Sequence, residues 1–197
     1  MSKFKPYKSV NSSDANNVDN IFKSGILSKF LGTYSDEFYG GHYVKELEKA
    51  FIEKFQVQHA ISVNSWTSGL IIAVGCLDIE PGDEIITTPW TMSATAMAIL
   101  HFNAIPVFCD IDKRTFNIDA SKVEALITPR TKAILSVDIF GQSADTEKLN
   151  DIARKYDIKV ISDTAQAITA KRDGKYAGTL TDIGGYSLNR HKHINTG

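Results

Sequence analysis

The spacing of apolar and polar positions changes near residue 60. Upstream of that point apolar residues recur at helical intervals. Val44, Leu47, Phe51 and Phe55 fall on one face of a helix predicted over Tyr43–Phe55, with Ala50 among them and the charges opposite. Before it, Asn11-Ser12-Ser13-Asp14 offers an N-cap for a shorter helix through Ile21 and Phe22, stopped near Gly25. From Ala60 a different rhythm begins. Short apolar runs predict strands at Ala60–Val63, Glu84–Thr87, Ile105–Cys109, Ala133–Val137, Lys159–Ser162 and Gly184–Ser187. Helical patterns lie between the first five, at Ser68–Leu77, Ser93–Phe102, Ser121–Ile127 and Thr146–Tyr156. Pro81-Gly82-Asp83 and Lys171-Arg172-Asp173-Gly174-Lys175 read as turns, the second joining Ile168–Ala170 to Tyr176–Gly178 as a hairpin.

Nearly all-apolar strands alternating with helices predict an α/β fold, a mostly parallel sheet flanked by helices. Ligands of such sheets bind beyond the carboxyl ends of the strands, so the residues just after each strand become the candidates for chemistry.

Composition narrows the function classes. Net charge is −1 with no basic block, which argues against nucleic acid or an anionic membrane as partner. No apolar run approaches the roughly 18 residues of a membrane span, and Met1–Val10 lacks the apolar stretch of a signal peptide. Cys76 and Cys109 stand alone in apolar segments and read as reduced core cysteines, in keeping with a cytoplasmic protein. His191 and His193 have no third ligand at metal spacing, so no metal is expected; His42, His59 and His101 read as structural.

The strand ends hold a coherent set of side chains. Val160-Ile161-Ser162-Asp163 delivers a carboxylate at the end of a buried strand, followed by Thr164-Ala165-Gln166. Burying a carboxylate is costly without a partner. A cofactor's ring nitrogen would serve, and so would a capping role in the following turn. Five positions after Ser187 comes Lys192, in a polar turn beyond the last strand. A lysine, a strand-end aspartate and nearby hydroxyls are what a pyridoxal phosphate site requires: a Schiff-base amine, a partner for the pyridine nitrogen and ligands for the phosphate. Asn64-Ser65-Trp66-Thr67-Ser68-Gly69 opens a helix after the first strand, where free amides and the hydroxyls of Thr67 and Ser68 suit an anion; an ordinary Ser/Thr cap fits equally. Trp90, after the second strand, suits a stacked ring or a gap between loop and core.

Several blocks, in order and spacing, then resemble a known family. They are Val63-Asn64-Ser65-Trp66-Thr67-Ser68-Gly69-Leu70, Pro81-Gly82-Asp83-Glu84-Ile85-Ile86 and Pro89-Trp90-Thr91 with Ala94-Thr95-Ala96. Pro106 to Asp112, Thr115 to Asp119, Ile127 to Ile134, Gly141 to Asp145, Asp163 to Ala167 and Ser187 to Lys192 complete the set. The run Ala60–Gly197 looks like the N-terminal part of the DegT/DnrJ/StrS sugar aminotransferases, fold-type-I pyridoxal phosphate enzymes acting on nucleotide-linked keto-sugars.

The resemblance implies roles. Thr67, Ser68 and Ser187 would hold the cofactor phosphate, Trp90 would stack on the pyridine ring, and Gln166 would lie near the ring hydroxyl. Asp163 would pair with the ring nitrogen and Lys192 would carry the cofactor and move the proton. It further implies glutamate as amino donor, a homodimer, and a place in making amino sugars for cell-surface polysaccharides or secondary metabolites. A runner-up within the family is a nucleotide-sugar 3-dehydratase, whose members carry His in place of the lysine; alignment from Ser187 puts Lys192, not His191 or His193, on that position.

The sequence departs from the family at two positions and in length. Trp66 stands where Gly is usual, which bears on phosphate-loop geometry or substrate size. Asp138 replaces a more usual His before Phe140-Gly141-Gln142. Family members are roughly twice as long. The chain is accordingly expected to comprise an N-terminal segment, residues 1–40, and a cofactor-binding large domain, residues 41–197, incomplete at its C-terminus and lacking the small domain. The isolated chain is expected to expose an apolar face, associate and show little catalysis.

Overall fold

The computed structural model describes residues 10–27, 29–30, 32–194 and 196. The chain divides into two compact units, Met1–Ser62 and Val63–Gly197. In the first, α1 (Ser12–Ser24) starts with a reciprocal box: the Asn11 side chain accepts from the amides of Ser13 and Asp14, and the Asp14 carboxylate accepts from the Asn11 amide. Gly25, at φ 68°, ends the helix as the pattern predicts. Helix α2 (His42–Phe55) follows, and its Glu48 accepts from both the amide and the hydroxyl of Ser62.

The second unit is a twice-covered parallel sheet. Its elements in order are α3 (Trp66–Gly75), β1 (Glu84–Thr87), α4 (Ser93–Leu100), β2 (Ile105–Phe108), α5 (Ala120–Val123), β3 (Thr131–Val137), α6 (Thr146–Tyr156), β4 (Lys159–Asp163), β5 (Lys171–Arg172), β6 (Lys175–Tyr176) and β7 (Ile183–Gly185). Five strands pair in the order β2-β1-β3-β4-β7, every pair parallel. Adjacent residues on a strand point to opposite faces, so an all-apolar strand feeds two cores. Ile85, Ala133, Leu135 and Ile161 pack with Leu70, Val74 and Ile99 of α3 and α4. Their neighbours Ile86, Ile134 and Val160 pack with Val123, Leu149 and Ala153 of α5 and α6.

Four details differ from the sequence expectation. Ala60–Val63 has no regular secondary structure and belongs to no ladder, and Ile61 is 82% exposed. A strand needs a hydrogen-bonded neighbour as well as β-prone residues. The last strand ends at Gly185, because its partner β4 turns away after Asp163, the final residue of the shared register. Tyr186 sends its hydroxyl to the carbonyl of Ala177 (2.5 Å) instead of continuing the ladder. The hairpin is tighter than expected: Lys171–Arg172 pairs with Lys175–Tyr176, leaving Asp173-Gly174 as a two-residue turn, both at positive φ. Of the two free cysteines, Cys109 is buried as expected, whereas Cys76, just past α3, is exposed.

Candidate active site

Register across the sheet sets the C-terminal edge of the strands. Val137 lies beside Asp163, and Asp163 beside Gly185. β1 is followed in sequence by β2 on one side and bordered by β3 on the other, so the chain reverses direction across this edge.

Asp163 is the polar centre of that edge. It is 5% exposed and belongs to the end of β4. Oδ1 accepts from the indole Nε1–H of Trp66 (2.7 Å) and from the amide of Ala165 (3.2 Å). Oδ2 accepts from the hydroxyl of Thr95 (2.8 Å), on the first turn of α4. All three donors are neutral, and among the described residues no cation lies in ion-pair range of this carboxylate. A buried anion served only by neutral donors is complemented by a positively charged group.

Its neighbour Asp138, in the turn after β3, is fully buried. Oδ1 accepts from the amide of Ala144 (2.8 Å) and Oδ2 from the hydroxyl of Thr164 (2.7 Å). Its own amide donates to the carbonyl of Asp163 (3.0 Å). Asp138 thereby ties the segment after β3 to the turn that follows Asp163. Burial raises its pKa above the usual carboxylate value, and the nearby Asp163 carboxylate adds to this. The sign of the linkage follows. A carboxyl group with a raised native pKa favours the native state while protonated, and that contribution is lost as pH rises from the unfolded value of about 4 through the native one. We expect Asp138→Asn to gain stability relative to the parent as pH rises through that window, read from urea midpoints at several pH values. Asp138→Ala leaves the Ala144 amide unpaired and is expected to cost about 1–3 kcal/mol at any pH.

The other predicted site residues cluster loosely around this edge. Ser65 caps α3: its hydroxyl accepts from the Ser68 amide (3.1 Å) and lies 3.0 Å from the Ser68 hydroxyl. Ser68 is thus already satisfied, whereas Thr67 is exposed and its hydroxyl has no hydrogen-bond partner among the described residues. Trp90 is 49% exposed, and its ring sits 6.0 Å from that of Phe116, itself 6.0 Å from Phe140. These rings follow β1, β2 and β3 respectively and form an aromatic ledge along the strand ends. Gln166 accepts through Oε1 from the Phe140 amide (3.1 Å), fixing the end of that ledge in a left-handed backbone (Phe140 φ 54°). Ser187 lies just past β7 and accepts weakly from the Asn189 amide (3.4 Å).

Lys192 is half-buried. Its amide donates to the Asn189 carbonyl (2.8 Å), and its Nζ has no hydrogen-bond or ion-pair partner among the described residues. The structure does not bring Lys192 into ion-pair distance of Asp163. Asn195 and Gly197, which close the run after Tyr186, lie outside the described residues.

Two members of the site carried too little signal in the sequence to be singled out for it. Thr95 reads as an ordinary residue of an apolar helix, and only packing of α4 on the sheet brings its hydroxyl to Asp163. Trp66 stands out as a bulky residue beside Thr67, but its distance of 97 residues from Asp163 hides the hydrogen bond between them.

Comparison with known proteins agrees with this architecture. The family model for the DegT/DnrJ/EryC1/StrS aminotransferase family matches residues 30–197. A GDP-perosamine synthase of Caulobacter vibrioides is 43% identical over 157 residues, 80% of this chain and 42% of that protein. An aminotransferase of Psychrobacter cryohalolentis superposes with TM-score 0.89 at 31% identity, covering 99% of this chain and 47% of that one. A GDP-4-keto-6-deoxy-D-mannose-3-dehydratase from E. coli, solved with bound hydrated PLP, superposes with TM-score 0.84 at 25% identity, covering 96% of this chain and 47% of that one. The chain therefore spans about half the length of the proteins it matches. With a family match over most of its residues, residues 30–197, the chain belongs to the DegT/DnrJ/EryC1/StrS aminotransferase family.

Proposed function

We propose that this protein binds pyridoxal 5′-phosphate and transfers an amino group from an amino acid, glutamate, to the carbonyl of a nucleotide-linked keto-sugar. The observation that carries the proposal is Asp163, a carboxylate buried at the strand ends with three neutral donors and no cation in ion-pair range among the described residues. The protonated nitrogen of a pyridine ring supplies the missing charge, so the residues present fit this cofactor. When bound, the cofactor supplies an electron sink that lets an amine exchange between two carbon atoms.

The chain's own residues divide the remaining tasks. Asp163 keeps the proton on the ring nitrogen by its charge. Lys192, whose amine has no partner among the described residues, would hold the cofactor covalently and would move a proton on and off the reacting carbon. Thr67 and Ser187 offer hydroxyls to the phosphate, and Ser68 joins them by exchanging its Ser65 contact. Trp90 offers a ring face. Gln166 contributes by holding Phe140 and the aromatic ledge, and its amide nitrogen is available to the ring hydroxyl. The perosamine synthase name supports a nucleotide-sugar substrate and an amino-sugar product. A homodimeric cytoplasmic enzyme, with its first 40 residues outside the cofactor-binding domain, is part of the same proposal.

The structural likeness to a 3-dehydratase supports a second reading, in which the sugar loses a hydroxyl and gains no amine. Lys192 weighs against it, because that reaction dispenses with the covalent lysine. Borohydride reduction of the cofactor-loaded protein separates the two. A stable cofactor adduct on the peptide carrying Lys192 is expected. Reversible colour without an adduct would favour the dehydratase, and no colour would end both readings.

A further inference from the structure

We propose that Trp66 is a plug in the cofactor's seat: its indole N–H competes with the cofactor's ring N–H for Asp163, and the ring enters only when this side chain swings out. The proposal rests on the reading above that Asp163 pairs with the ring nitrogen.

Trp66 has the chemistry and the position of a stand-in. An indole and a pyridinium are both flat aromatic rings with one N–H donor, and the Trp66 Nε1–H lies 2.7 Å from Asp163 Oδ1. Of the three donors on this carboxylate, the Ala165 amide is fixed by its own turn, and Thr95 is buried on α4. Trp66 is the half-buried one, on a rotatable side chain at the first residue of α3. It is the donor that can leave.

The ring also fills space. A Cβ added to Gly185 would lie 1.9 and 2.1 Å from Trp66 Cζ3 and Cη2, and one added to Gly69 would lie 2.4 Å from Cε3. The indole is thus pressed into a slot that exists because both positions are glycine. Gly185 is the register neighbour of Asp163, so the slot leads to the carboxylate. Trp66 in this rotamer and a second flat ring donating to Asp163 Oδ1 exclude each other.

The plug sits beside the residues proposed for the phosphate. Ser68 can give its amide to a phosphate only by releasing the Ser65 hydroxyl, which loosens the first turn of α3, where Trp66 starts. Phosphate capture and release of the plug are therefore linked through one turn of helix. A site that is open only part of the time binds with an affinity lowered by its open fraction. A charge-assisted hydrogen bond to a buried carboxylate sets that factor at about ten- to a hundred-fold.

The test uses 4′-deoxypyridoxine 5′-phosphate, which keeps the ring nitrogen and phosphate but has no aldehyde, so Lys192 takes no covalent part. Its dissociation constant and association rate are measured on the full chain and on Trp66→Gly, Trp66→Phe and Asp163→Ala. Exchange of the indole N–H protons is followed by NMR, with Trp90→Phe assigning the two tryptophan signals. Trp66→Gly is expected to bind about ten- to a hundred-fold more tightly and faster. Trp66→Phe, a ring without a donor, should fall between. The Trp66 indole proton should be protected from exchange in the free protein and lose that protection when ligand is added. Should the glycine variant misfold, the phenylalanine variant and the indole proton still decide. Asp163-dependent binding with unchanged affinity in the Trp66 variants and an unmoved indole proton would overturn the plug and leave the role of Asp163 standing. Binding that ignores Asp163→Ala would remove both.

Discussion

Wherever amine transfer to a nucleotide keto-sugar is measurable in the parent, replacing Lys192 by alanine is expected to reduce it by about 10⁴-fold or more, at the upper end of what one acid–base residue contributes. The reasoning starts from what the side chain does in the structure. Its Nζ has no partner among the described residues, and the backbone around it is held by the Lys192-to-Asn189 and Thr196-to-Leu188 hydrogen bonds. Alanine keeps those main-chain bonds, so the fold and its denaturation midpoint should stay within about 0.5 kcal/mol of the parent, as for a surface substitution. Both tasks proposed for the amine, the covalent hold on the cofactor and the proton movement, would be lost together, which makes the expected loss large. Steady-state kinetics alongside a urea titration checks both halves. Turnover within tenfold of the parent would mean that another group moves the proton.

Asp163→Asn is expected to lower kcat/KM by about 10²–10³-fold while the protein stays folded. The amide oxygen still accepts from Trp66 Nε1 and the Ala165 amide. Its NH₂ now faces the Thr95 hydroxyl, which can turn to donate to Thr91 Oγ1, 3.0 Å away. The local network survives with one reorientation, and a stability change of about 1 kcal/mol covers it. What is lost is the negative charge. An amide can accept from a ring N–H but does not hold a proton there electrostatically, so the ring becomes a poorer electron acceptor. The cofactor's absorbance band against pH reads this directly, with kinetics beside it. Activity within a few-fold of the parent would reduce Asp163 to a structural cap for the turn after β4.

These two residues also mark how far local sequence reaches. The all-apolar strands, with helices between them, led to a doubly covered parallel sheet because a strand buried on both faces leaves no alternation to read. Ile85 and Ile86 serve different cores, as that pattern requires. The Tyr43–Phe55 helix and the Asn11 cap follow from side chains within a few residues of one another, and they are found where the spacing places them. Asp163 and Lys192 stood out as candidates because one ends a strand that is itself legible and the other lies in the polar turn beyond the last strand.

Pairing across the sheet and between elements was not legible, because it depends on residues far apart in the chain. Ala60–Val63 has strand composition and no ladder, and the last strand stops at Gly185 where β4 turns away. Thr95 and Trp66 reach Asp163 from 68 and 97 residues away. Only packing of α3 and α4 against the same sheet face brings them there. The amino-acid sequence by itself determined the fold class, the family and the residues at the strand ends. The tertiary structure alone decided that the carboxylate at the centre of the site is held by a tryptophan, since a hydrogen bond between distant residues exists only once the sheet has set its register.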